Sequence, residues 1–183
     1  TYHPSYLARM QKDKALQSAW RRHLKAAFEL SERPFPAIPK PLEQRVEIIL
    51  EDDAACQAIT EFMEVPVAAF DYETNMLKPD GPNARILSCS LSSGRRTIAF
   101  PWRGNAVTAM GEFLRSPVHK VASNLKFEDR WTRRVFCHPV RRWFWDTMLA
   151  AHTLDNRPDI TGLKFQAYAT LGQPIFNAHL QEF

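Results

Sequence analysis

Leu16, Trp20, Leu24, Ala27 and Phe28 recur at three- and four-residue spacing, with Lys and Arg between them. That period lines one face of a helix and predicts one over residues 11–31. Four prolines then fall within residues 34–41, which excludes helix and predicts a stiff, extended spacer. Beyond it, residues 42–63 read as one or two short elements. Ile48, Ile49 and Leu50 are apolar, and Asp52 or Asp53 is placed to cap a helix ending at Phe62. Residues 65–72 form a short β-prone run. Pro79-Asp-Gly-Pro82 is a turn, and 85–91 and 96–102 are two strands joined by Ser92-Ser-Gly94 as a hairpin. Helices are expected over 106–114, 127–135, 146–154 (capped by Asp146) and 163–171, with a strand at 119–123. Strands mixed with helices in this order predict an α/β layered domain, a mixed sheet with helices packed on it. We expect three parts: residues 1–32 as an N-terminal tail and helix, 33–41 as linker, and 42–183 as the main domain.

Composition narrows this picture without deciding it. The chain has 183 residues, 45% hydrophobic and 24% charged, so global disorder is excluded. No run of apolar residues is long enough for an ordinary membrane-spanning helix, and no signal peptide is visible. Cys56, Cys89 and Cys137 are an odd number at no metal-like spacing, which fits a reducing cytoplasm. The net charge is +4, compatible with a nucleic-acid partner. The charge is unevenly placed. Residues 43–64 carry seven acids against one Arg, whereas Lys126, Arg130, Arg133, Arg134, Arg141 and Arg142 face only Glu128 and Asp129 within 126–142. Phosphate neutralisation is one reading of that basic set, and a solvated helix face is the other. Trp131, Trp143, Phe144 and Trp145 read as core rather than as a base-stacking platform.

Candidate chemistry sits at Asp71-Tyr72-Glu73. Alternate strand residues share a face about 6–7 Å apart, so the two carboxylates stand side by side at a strand end. Ionised together they repel, unless a cation such as Mg²⁺ or Mn²⁺ lies between them. An exposed acidic strand end is the plainer alternative, but the apolar run before Asp71 implies a buried strand. A second pair of acids, Glu128 and Asp129, opens a helix after Asn124. Phe127, Trp131 and Val135 share a face of that helix, and Glu128 lies nearer to it than Asp129 does.

Asp71-Tyr-Glu73, the hairpin, Asn124-Leu-Lys-Phe-Glu128 and Trp145-Asp-Thr-Met-Leu149, in that order, resemble the DnaQ-like DEDD 3′→5′ exonuclease domain. The proofreading domain of family A (phage-type) DNA polymerases is the nearest likeness, over about residues 65–171. The resemblance implies a ribonuclease H-like fold and a two-metal phosphodiesterase, with Asp71, Glu73 and Glu128 as metal ligands and Asp129 as the alternative to Glu128. It also implies that Asn124 and Lys126 support the site or touch phosphate and that the substrate is a single-stranded DNA 3′ end; Arg130, Arg133 and Arg134 join them as nucleic-acid contacts on the phosphate reading of the basic set. The sequence departs from the pattern twice. Glu128 stands where the family usually has Asp. The final Tyr- or His-x-x-x-Asp motif is missing: Tyr168 is followed four residues later by Gly172. Either the chain is cut before that helix or the last carboxylate is absent, so a non-catalytic nucleic-acid-binding scaffold is the competing expectation. Asp146 reads as a helix cap.

Thr1-Tyr-His-Pro-Ser-Tyr-Leu-Ala-Arg9 with the following Trp20 helix is similar to the C-terminal tail of a family 4 uracil-DNA glycosylase. That likeness implies a minor-groove loop in which His3 contacts a base and Leu7 or a neighbour forms the wedge. A surface His on a loop before an amphipathic helix is the alternative. Together the two resemblances imply a longer protein, with a glycosylase or polymerase domain as partner.

Overall fold

The computed structural model describes residues 3–31, 45–155, 157–158 and 160–171. The proline-rich linker, the side chain of Tyr168 and the segment after Leu171 lie outside the described residues. The chain divides into two compact units, Thr1–Pro39 and Lys40–Phe183.

In the first unit, helix α1 (Pro4–Arg9) precedes α2 (Lys14–Ser31). The segment around His3, expected as a loop, is the start of a helix. His3 is its N-cap, its Nδ1 accepting from the Ser5 N–H at 3.2 Å, with Pro4 in the first turn, where a missing N–H costs nothing. Asp13 Oδ1 accepts the Leu16 N–H at 2.9 Å, so α2 begins at residue 14 rather than 11. Gln17 Nε2 donates to the Leu7 carbonyl at 2.9 Å and ties the two helices together.

The second unit is a six-stranded mixed sheet with helices on both faces, a ribonuclease H-like arrangement. In chain order it contains β1 (Glu47–Ile48), α3 (Asp52–Glu61), β2 (Val67–Thr74), β3 (Ile86–Ser92), β4 (Thr97–Pro101) and α4 (Gly104–Arg115). There follow β5 (His119–Ala122), α5 (Leu125–Phe136), β6 (Trp143–Asp146), α6 (Thr147–Leu154) and α7 (Leu163–Leu171). The strand order is β1-β4-β3-β2-β5-β6. The β2–β3 and β3–β4 pairs are antiparallel, and the other three are parallel. The hairpin forms as expected, with Gly94 at φ +80° and Ser92 hydrogen-bonded across the strands to Thr97 at 2.9 Å.

Alternation along β2 sorts its residues by face. Ala68, Phe70 and Tyr72 enter the core with Ile59, Leu91, Ile98, Phe100, Met110 and Phe113. Ala69, Asp71 and Glu73 take the opposite side. The acidic pair at the start of α3 acts differently from expectation. Glu51 is that helix's N-cap, without a side-chain bond, and Asp52 reaches out to accept the backbone N–H groups of Asn105 (2.8 Å) and Ala106 (2.9 Å) at the start of α4. Those bonds hold its carboxyl below the ordinary range. Gly104 makes room for it: φ is +60°, and a Cβ there would lie 2.2 Å from Asp52 Oδ2.

One reading of the aromatic cluster needs correction. Trp143-Phe-Trp-Asp146 is a strand, in a stretch to which the sequence assigned no element. Trp131 is 1% exposed and Trp143 stacks on Phe70 at 5.5 Å, so both are core. Phe144 and Trp145 are 59% and 53% exposed. They stand on an edge strand, where the Phe144 ring meets His119 at 5.1 Å.

Candidate active site

β2 is the central strand, flanked by β3 and β5, so its backbone is fixed on both sides. Asp71 pairs with Ser90 and Glu73 with Ser88, and the register shifts just after Glu73. Asp71 borders a cavity of about 140 Å³, shared with Ser90, Ser92, Ser123, Thr147 and Leu163.

Glu128 comes to Asp71 from α5, and two devices place it. The first is a turn. Asn124 adopts a left-handed conformation at φ 68°, which Asn tolerates better than most residues, and the chain turns from β5 straight into α5. Asp146 locks that turn. Its carboxylate accepts four backbone N–H groups: Asn124 (3.0 Å), Leu125 (2.9 Å), Met148 (2.9 Å) and Leu149 (3.1 Å). Asp146 therefore caps α6, as its sequence predicts, and also holds the start of α5. The second device is the buried hydrogen bond between Tyr72 Oη and Thr132 Oγ1, at 3.1 Å, which fixes α5 against β2 one turn beyond Glu128.

Glu128 is 1% exposed. Burial, first of all, pushes its carboxyl up to about 8, and the nearby charges of Asp71 and Asp146 push the same way. Asp71 is also raised, by burial and then by Glu73, while hydrogen bonding with Glu128 opposes the rise. Beyond that shared contact, Glu128 Oε2 is buried with no partner among the described residues. Two carboxyls pressed together, one with an orphaned oxygen, form a donor set for a hard divalent cation. The fit extends to the pair only. Among the described residues, no group of three or more His, Cys, Asp or Glu is assembled to hold a metal. Glu73 shares the strand face with Asp71, and both residues reach solvent.

Asp129 is committed elsewhere. It accepts from the Val140 N–H at 2.9 Å, Trp143 Nε1 at 3.4 Å and Arg133 Nε at 2.6 Å. Burial opposes its ionisation, but these bonds outweigh it and hold the carboxyl below the usual range. Asn124 and Lys126 are exposed beside the turn. Arg130 is paired with Asp80 and Arg133 with Asp129, whereas Arg134 is exposed without an ion-pair partner among the described residues. The Tyr72–Thr132 tie and the hydroxyls of Ser90, Ser92, Ser123 and Thr147 were not singled out from sequence. For Tyr72 the signal was available, since strand alternation turns it into the core.

A 3′-5′ exonuclease family model matches residues 46–181. No curated protein matches the sequence. Solved structures share the fold. Escherichia coli RNase D, described as an exoribonuclease involved in structured RNA processing, superposes with a TM-score of 0.60 at 16% identity, over 74% of this chain and 36% of that one. Brucella melitensis NrnC bound to pGG gives 0.53 at 16% identity, over 70% and 61%. NrnC with bound Mg²⁺ gives 0.51 at 16% identity, over 70% and 62%. The chain thus spans between about a third and three-fifths of these proteins. Among the described residues, no helix is long and apolar enough to cross a membrane.

Proposed function

The chain belongs to the 3′-5′ exonuclease family, and from that premise we propose that it shortens single-stranded nucleic acid from the 3′ end by divalent-metal-dependent hydrolysis. The observation that carries this reading is the buried Glu128 carboxyl against Asp71, with one oxygen left without a partner. Asp71 and Glu128 would hold one Mg²⁺ or Mn²⁺, and Asp71 with Glu73 a second. Such ions, when bound, make a nucleophile of water and stabilise the leaving 3′-oxygen.

The chain's own groups set the stage for that chemistry. β2 fixes Asp71, and the Asp146 turn with the Tyr72–Thr132 bond fixes Glu128. Burial and the neighbouring acids favour the protonated Glu128 carboxyl near neutral pH, whereas a divalent ion held by Asp71 and Glu128 would favour the ionised form. Asn124 and Lys126, exposed at the turn, would meet the terminal phosphates. The family relation supports DNA 3′ ends of the proofreading kind, whereas RNase D supports RNA. We take residues 42–183 as the catalytic unit and 1–32 with its linker as an appended module from a glycosylase or polymerase fusion.

The test incubates 5′-labelled single-stranded DNA, and in parallel RNA, with Mg²⁺ or Mn²⁺, beside an Asp71→Ala control. A ladder shortening from the 3′ end, stopped by EDTA and absent in the variant, is expected. An intact label with a folded protein would overturn the reading. It would favour the binding scaffold.

A further inference from the structure

Charge of the opposite sign gathers at the other end of the same strands. β5 begins at His119, which pairs with Val67, and Asp71 lies four residues further along β2, about 13 Å away. Three elements meet at this end. The Arg141 N–H donates to the Leu114 carbonyl and the Lys120 N–H to the Arg142 carbonyl, each at 2.9 Å. These bonds draw the loop between α5 and β6 onto the end of α4. Arg115, His138, Pro139 and Arg141 wall a cavity of about 380 Å³ there.

Among the described residues, no carboxylate neutralises this group. Arg130 and Arg133 have acidic partners, but Arg115, Arg141 and Arg142 form no ion pair among the described residues. Glu112, one turn back on α4, pairs with none of them. Beneath the cluster, Lys120 is fully buried, its Nζ donating to Ser116 O at 2.7 Å and Ser116 Oγ at 3.0 Å. Burial and then the charge of Arg142 pull that ammonium down to about 8. His138 Nε2 is buried without a hydrogen-bond partner among the described residues, while its Nδ1 lies 2.9 Å from the Pro139 carbonyl. Neutralising a helix C-terminus accounts for Arg115, in the last turn of α4. It does not account for Arg141 and His138, which lie outside any helix. Like charges crowded without counter-ions are relieved by an anion, and forked guanidinium groups suit phosphate.

We propose that the Arg115–His138–Arg141 pocket anchors the phosphate backbone of the substrate strand, several nucleotides 5′ of the end held at Asp71 and Glu128. The inference rests on the exonuclease reading, but its test does not. The affinity of a dinucleotide and of a 12-nucleotide single strand would be measured in EDTA across a salt series, for the wild type and Arg115→Gln/Arg141→Gln. The double variant is expected to bind the 12-mer about 10-fold more weakly at low salt and to lose roughly one unit or more of salt slope, with the dinucleotide unaffected. Arg115→Lys/Arg141→Lys, which keeps the charge, is expected to restore the slope. An unchanged 12-mer affinity and slope would overturn the proposal. So would a loss that is equal for both lengths and matched by lost binding of inorganic phosphate, which would mark a free-anion site. Should hydrolysis be absent yet the length-dependent loss appear, the exonuclease reading fails and the anchor stands. Should the dinucleotide be hydrolysed while 12-mer binding is unaltered in the double variant, the anchor fails and the exonuclease reading stands.

Discussion

Two buried carboxylates lie close together in this fold and live in opposite conditions. At the turn joining β6 to α6, Asp146 receives four backbone N–H groups. Beside Asp71, within β2, Glu128 meets another acid and leaves an oxygen unpartnered. Both are desolvated, so burial alone does not separate scaffolding from chemistry. What separates them is whether the surroundings satisfy the negative charge. A satisfied carboxylate holds structure, whereas an unsatisfied one is unstable until something cationic arrives.

The sharpest break of that contrast is a swap of effects. Asp71→Ala and Glu128→Gln are expected to lower hydrolysis about 1,000-fold or more, while thermal stability without metal stays level or rises because like-charge crowding is removed. Paired rate and melting measurements check both halves. Asp146→Ala is expected to do the reverse to stability. Four N–H groups lose their acceptor, at a cost of about 2–4 kcal/mol, which lowers the melting temperature by roughly 6–12 °C. A melt within a degree or two of wild type would dissolve the distinction.

A pH series sharpens the comparison. Glu128 is raised in the folded chain, so between about 4.5 and about 8 the native state binds more protons than the unfolded one. Stability in EDTA is therefore expected to fall as pH rises through that window and to level off above it. Glu128→Gln should remove this slope, and saturating Mg²⁺ should flatten it in the wild type. Thermal melts at several pH values read all three. The smallest effect belongs to Tyr72→Phe. It removes the bond to Thr132 at about 1 kcal/mol and is expected to slow turnover several-fold with KM little changed, because α5 then holds Glu128 less firmly.

The sequence carries part of this unevenly. The Asp71-Tyr-Glu73 strand and the hairpin are legible because alternation and turn residues are local signals. β6 is not. Two arginines precede it, three of its four residues are aromatic without alternation, and its one strand partner among the described residues is distant β5. The α5 face is half legible. Phe127, Trp131 and Val135 define an apolar stripe, yet the helix turns Glu128, Trp131 and Thr132 inward and leaves Val135 39% exposed. Its orientation is set by Tyr72, sixty residues away, which no local period records. The roles of Asp52 and Asp146 as caps for a second helix are hidden for the same reason. Each acts across more than twenty residues of chain.

The central position of β2 has a consequence in time as well as in space. Its amides are locked between β3 and β5, and β5 comes from a segment about fifty residues further along the chain. Breaking those pairings means dismantling the sheet, so backbone amides around Asp71 should exchange with deuterium only through global unfolding. Helix α7, whose ends carry exposed leucines, should exchange far sooner. Asp71 thus rides on the slowest part of the molecule, and on the proposed reading any adjustment to a bound strand would fall to the faster helices around it.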